Sequence, residues 1–137
     1  MRVFLDDIRT PDMSHKSDKG LGPYYSDKSK WVIARDYFQF IDIVNKHFDE
    51  IKLVSFDHDL GCMKDGIEYT GKNAADYLIN FCLDSGKKFP DWYAHTDNTS
   101  GRQNIIGAIL NYLKNVEGVD ISKFRYFHNG IFNNKFV

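Results

Sequence analysis

Short apolar runs that break off into acidic residues recur along the chain, and stretches with helical spacing lie between them. Val3 to Leu5 reads as a buried strand ending abruptly at Asp6-Asp7. Trp31-Val32-Ile33-Ala34 reads as a second, after which Tyr37, Phe40, Ile41, Val44 and Phe48 recur at the spacing of an amphipathic helix beginning near Asp36. Ile51 to Phe56 forms a third strand that runs straight into Asp57-His58-Asp59-Leu60-Gly61 and a polar loop reaching Gly71. Ala74, Ala75, Leu78, Ile79 and Cys82 mark the next helix, which closes at Ser85-Gly86-Lys87-Lys88 with a glycine and cations. Trp92-Tyr93-Ala94 is a fourth strand, followed by His95-Thr96-Asp97-Asn98. Ile105, Ile106, Ile109, Leu113 and Val116 then define a helix with Thr99 or Ser100 as its N-cap. Phe124 to Phe127 predicts a fifth strand, and the Asn129-Gly130 turn signal leaves 129–137 as a hairpin or tail. From Thr10 to Lys30 there is no period, and Pro11, Gly20, Gly22 and Pro23 punctuate a lid or insertion loop.

Strands alternating with helices predict one α/β domain over residues 1–137, built on an open, mostly parallel sheet with helices on both faces. The flavodoxin-like strand order, about 2-1-3-4-5, makes the first and third strands neighbours and gathers all carboxyl ends on one edge. Asp6 and Asp7 then face Asp57, His58 and Asp59, with His95 and Asn98 on the next strand. Three separate runs converge on one cluster.

Composition narrows what that cluster serves. A length of 137 residues fits one domain, and 42% apolar with 15% aromatic residues supplies a core. Eighteen basic against nineteen acidic residues, a net charge of −1, excludes a general duplex-binding surface. No run approaches the roughly 18 apolar residues of a membrane span, and the start reaches acid after three apolar residues, so neither anchoring nor export is expected. Cys62 and Cys82 are the only cysteines and have no zinc or disulfide spacing, which fits a cytoplasmic setting. Sixteen of the nineteen acids are Asp, the acid of caps, loops and metal or phosphate sites.

Clustered carboxylates repel unless a cation or retained protons neutralise them, which points to Mg²⁺ or Mn²⁺ held by Asp6, Asp7, Asp57 and Asp59. His58 and His95, on adjacent strands, are of the type that gives and takes protons near neutral pH. Arg9 and Arg102 can hold a phosphate through their planar forks, assisted by the N-terminus of the following helix. Tyr24, Tyr25 and Trp31 beside the lid are candidates to stack a nucleobase. The kit suits phosphoester chemistry on a small phosphorylated or nucleotide-like ligand; it says nothing of oligomeric state.

The runs Phe4-Leu5-Asp6-Asp7-Ile8-Arg9-Thr10-Pro11, Ser55-Phe56-Asp57-His58-Asp59-Leu60-Gly61 and His95-Thr96-Asp97-Asn98 with Gly101-Arg102 resemble the cyclic-phosphate-processing receiver-like domains. That family's signature is a leading LDD.R.P, a central LDHDLG and a later H.xN with a downstream glycine, so the resemblance extends from Phe4 to about Ile106. It implies a relative of response-regulator receivers, found in bacteria and phages, that processes cyclic phosphates. It also implies roles for Asp6, Asp7, Arg9, Asp57, His58, Asp59, His95 and Asn98. Thr96-Asp97 stands here in place of a serine and a small residue. The expected function is therefore a phosphodiesterase-type hydrolase in which Asp57, His58 and His95 do the chemistry and Arg9, Asn98, Arg102 and Thr96 contact the substrate. Two alternatives stay open: a receiver that accepts a phosphoryl group on Asp57, and a non-catalytic binder of a cyclic nucleotide or a partner. Receivers carry a lysine at the end of the fifth strand, where Phe124 to His128 offers Arg125 and His128.

Overall fold

The computed structural model describes residues 1–11, 30–123, 125–127 and 130–132. Four strands, β1 (Arg2–Leu5), β2 (Trp31–Ala34), β3 (Leu53–Phe56) and, after an intervening hairpin, β6 (Asp91–Ala94), form one parallel sheet in the order β2-β1-β3-β6. Register places Leu5 opposite Ala34 on one side and Phe56 on the other, with Phe56 opposite Ala94. Every strand therefore breaks into its polar residues at the same level. The ladder continues one rung further: the Asp6 amide donates to Ala34 O at 3.1 Å, that of Asp57 to Leu5 O at 2.9 Å and that of His95 to Phe56 O at 2.9 Å. Asp6, Asp57 and His95 are thus the last rung of the sheet and share its rigidity.

Burial of both faces of the strands suits them to a parallel sheet. Val3, Leu5, Val54, Phe56, Trp92 and Ala94 pack into the main core, while Phe4, Leu53, Ser55 and Tyr93, pointing the other way, are also fully buried. Helices flank the sheet. Helix α1 (Tyr37–His47) starts at Asp36, whose carboxylate accepts from the Gln39 amide at 2.8 Å, and buries Phe40 and Val44. Helix α2 (Gly71–Ser85) buries Ala74, Ala75, Leu78 and Cys82. It ends at Gly86, which takes the left-handed conformation (φ +69°) that a side chain would strain. Helix α3 (Thr99–Asn115) buries Ile105, Ile109 and Leu113. The three pack consecutively, α1 on α2 and α2 on α3.

Three details differ from the sequence reading. The N-cap of α3 is Asn98, not Thr99 or Ser100; its side-chain oxygen accepts from the Gly101 amide at 2.9 Å. The loop before Gly71 contains a hairpin, β4 (Cys62–Lys64) with β5 (Ile67–Tyr69), turned by Asp65 and Gly66, both at positive φ (53° and 76°) as a two-residue primed turn demands. The expected fifth strand, β7 (Arg125–Phe127), pairs antiparallel with β8 (Gly130–Phe132) in a sheet of its own, and β8 is the strand that comes close to β6. Antiparallel neighbours this close in sequence need no crossover, which favours local pairing over another parallel strand. The lid expected over 10–30 lies outside the described residues for 12–29, as do Tyr24, Tyr25, His128 and residues 133–137. Trp31 is buried, its ring edge-on to Phe4 with centroids 5.9 Å apart. No described helix is long and apolar enough to cross a membrane.

Candidate functional site

Asp6, the first residue beyond β1, is 1% exposed, and all its acceptor positions are used. Its Oδ1 accepts from the amides of Ile8 (3.0 Å) and Arg9 (2.8 Å), and its Oδ2 accepts from Arg9 Nε (3.1 Å) and lies 3.0 Å from His95 Nε2. Burial alone would raise the Asp6 carboxyl; the His95 hydrogen bond and the two amides outweigh it and hold the group well below the usual carboxylate range. His95 is equally enclosed. Its Nδ1 meets Ser55 Oγ at 2.7 Å, and its ring stacks on Phe4 with centroids 4.3 Å apart. Ser55, His95 and Asp6 therefore form a continuous buried polar chain that ends at the site.

Asp57, on the same rung, accepts from the His58 amide at 2.8 Å through Oδ1 and lies against the Thr96 side chain. Burial, reinforced by the negative charge of Asp6, pushes its carboxyl up, while His95, the His58 amide and Thr96 pull in the other direction. A carboxyl so placed costs stability when charged. Asp57→Asn is therefore expected to raise stability by about 1 kcal/mol near neutral pH, read as a melting temperature higher by roughly 3 °C. Because the folded value lies above the unfolded one, the gain should vanish as the pH falls below the ordinary carboxylate range, where both proteins are neutral at this position. A melting temperature lower than wild type near pH 7 would contradict the assignment.

Arg9 ties the carboxylates together. Its Nε contacts Asp6, its Nη2 lies 3.8 Å from Asp57 Oδ1 and its Nη1 3.7 Å from Asp97 Oδ2. The Asp6–Arg9 loop is pinned from below by Arg35, one residue past β2, whose Nη1 donates to Asp6 O (3.2 Å) and Arg9 O (2.6 Å).

The other half of the site follows β3. His58 Nδ1 is 2.9 Å from Asp59 Oδ1, and Asn98 Nδ2 donates to both Asp59 oxygens at 3.3 and 3.1 Å. A carboxylate at Nδ1 calls for the proton there and leaves Nε2 as the basic nitrogen. Two glycines make this close packing possible. A Cβ on Gly101 would lie 2.4 Å from His58 Cγ, so the first turn of α3 can lie directly on the ring, and Gly71 performs the same service for the backbone of Asp57 and His58.

These elements enclose an open cleft of about 430 Å³ walled by Asp6, Asp7, Ile8, Arg9, Asp57, Asp59, Thr96, Asp97 and Asn98. All four expected metal ligands, three of the four expected substrate contacts and Asp57 of the expected catalytic set line it. His58, His95 and Arg102 do not. The histidines reach the cleft through Asp59 and Asp6, and Arg102 Nη1 donates to the Thr96 carbonyl at 3.3 Å. Among the described residues the ligand-bearing atoms of Asp6, Asp57 and His95 lie within 4.8 Å of one another, a geometry that can hold a cation. Sequence reasoning missed Arg35, Ser55 and Asp97. A signal existed for the first two: Arg35 leaves β2 where Asp6 leaves β1, and Ser55 is the lone polar residue in an apolar strand.

Fold and site together define a receiver-like α/β domain with acids, an arginine and carboxylate-bound histidines at the carboxyl edge of its sheet. Residues 1–111 match the family model for the cyclic-phosphate processing receiver domain, and the chain belongs to that family. No curated protein and no solved structure gave a significant match.

Proposed function

We propose that this protein hydrolyses a cyclic phosphate on a small nucleotide-like molecule. The observation that carries the reading is that Arg9 and the buried carboxyl of Asp57, pushed up from its ordinary value, share one open cleft in a chain of this family. In such a reaction water attacks phosphorus, one ring P–O bond breaks, and the departing alkoxide takes up a proton while the attacking water loses one. Arg9 and Asn98 bind phosphate oxygens, with Thr96 and Arg102 supporting that wall. Asp57, with a proton affinity nearer neutrality than an ordinary carboxylate, is suited to moving a proton. His58 through Asp59 and His95 through Asp6 act as the two proton-holding couples of the site.

We further propose Mg²⁺ or Mn²⁺ as the cation. Asp6 and Asp57 supply carboxylate oxygens of fitting type and spacing, with Asp7 and Asp59 on the same wall, and the ion would take the charge-balancing place that Arg9 fills. When bound, it would neutralise charge and polarise a phosphoryl oxygen. The test is a panel of cyclic phosphates incubated with the purified protein and Mg²⁺, Mn²⁺ or chelator. Ring opening is expected, lost in Asp57→Asn and lowered on the order of 10²–10⁴-fold in His58→Ala and His95→Ala. Rates unaffected by both histidine substitutions would remove these roles.

One observation favours a second reading, a phosphoacceptor: Asp57 ends the third strand of the parallel sheet with the Thr96 side chain against it. Labelling by acetyl phosphate that is lost in Asp57→Asn, without ring opening of any cyclic phosphate, would select it.

A further inference from the structure

We infer that Asp97 is a specificity-determining residue: its carboxylate covers the outer nitrogen of Arg9 until a phosphate takes that place, and its charge separates singly from doubly charged phosphates. The inference rests on the cyclic-phosphate reading above. Arg9 presents three nitrogens, and each faces a different carboxylate. Two of these, Asp6 and Asp57, are buried on the last rung of the sheet; the third partner, Asp97 at 3.7 Å from Nη1, has a side chain 83% exposed. Nη1 is therefore the nitrogen a ligand oxygen can reach without disturbing the frame, and Asp97 stands on it. An exposed, loosely spaced ion pair is weak and screened by salt, whereas a guanidinium grips a phosphate through short charge-assisted bonds, so the exchange is favourable.

Charge supplies the discrimination. The cleft wall carries Asp6, Asp7, Asp57, Asp59 and Asp97 against Arg9. A cyclic phosphodiester bears one negative charge, while the monoester left after ring opening bears nearly two at neutral pH, because its second proton leaves near pH 6. Both meet the same carboxylates, and repulsion grows with the charge of the ligand. The wall thus admits the substrate on Arg9 and expels the product. Asp97, the member of this set that faces the outer nitrogen of Arg9, can be neutralised without touching the sheet ladder or the buried chain behind Asp6.

The experiment measures binding of 2′,3′-cyclic AMP and of 3′-AMP by calorimetry, in chelator and low salt. It compares Asp57→Asn with the double variant Asp57→Asn, Asp97→Asn, so that no ring opens during titration. Removing the Asp97 charge is expected to tighten 3′-AMP about tenfold and the cyclic form only about threefold, narrowing the preference, with the difference shrinking in high salt. Asp97→Glu, which keeps the charge, should keep the original preference. An unchanged ratio overturns the inference, as does failure of both probes to bind both proteins. Turnover by the otherwise wild-type chain is followed in parallel. Ring opening with an unchanged ratio removes the role of Asp97 alone; a narrowed ratio without ring opening of any cyclic phosphate removes the hydrolytic reading alone.

Discussion

Gly71→Ala is expected to lose the native fold or to keep it only with the site pulled apart, at a cost above about 4 kcal/mol. A Cβ at this position would stand 1.7 Å from the Asp57 carbonyl oxygen, 2.8 Å from its carbonyl carbon and 3.0 Å from His58 Cα. All three are backbone atoms, so no rotamer change relieves the overlap. The backbone there cannot drift either, because the Asp57 amide belongs to the sheet ladder and the His58 carbonyl accepts from the Gly71 amide at 2.8 Å. The start of α2 is riveted to the exit of β3. Gly107 is the control: it lies inside α3 with no atom within 4 Å of where its Cβ would be, so Gly107→Ala should stabilise by roughly 1 kcal/mol. Thermal and urea unfolding of the two variants side by side checks the contrast. A Gly71→Ala protein that unfolds within about 1 kcal/mol of wild type would show that the close approach is not as drawn.

Asp6→Asn should cost about 3–5 kcal/mol, the range for breaking a buried charge-paired group. The amide oxygen can still accept from the Ile8 and Arg9 amides, but its NH₂ would turn a donor toward Arg9 Nε and His95 Nε2, which now face the carboxylate. The pH dependence carries a separate signature. A carboxyl held below its ordinary value of 3.8 stabilises the fold above that value and loses the effect as the pH falls toward its folded one. Wild type should therefore lose stability steeply on acidification below about pH 4, the variant much less, and the two melting curves should converge. A constant gap from pH 7 down to pH 2 would mean that Asp6 is not ionised in the folded protein.

Much of this arrangement could be read from the chain because the physics that sets it is local. The breaks at Leu5-Asp6, Phe56-Asp57 and Ala94-His95 mark strand ends, and in a parallel sheet of order 2-1-3-6 strand ends meet. What stayed hidden depends on distances no periodicity reports. That His95 turns both ring nitrogens inward, to Ser55 and Asp6, follows from the direction of its side chain under the rung. Asn98 as the α3 cap and Asp59 partner is a choice among several residues of similar capping strength. The hairpin at Asp65-Gly66 had a recognisable turn pair but only three residues on each side, too few for alternation to register.

The continuation of the sheet by one rung sets how this domain can change. Asp6, Asp57 and His95 contribute their amides to the same ladder that holds the core, so a shift of the backbone there moves the sheet and the cleft together. Asp59 and Asp97 contribute only side chains, on loops, and Asn98 belongs to a helix cap. Side-chain changes can therefore accumulate at the rim while the interior stays as it is, so one rigid frame can carry differently shaped clefts.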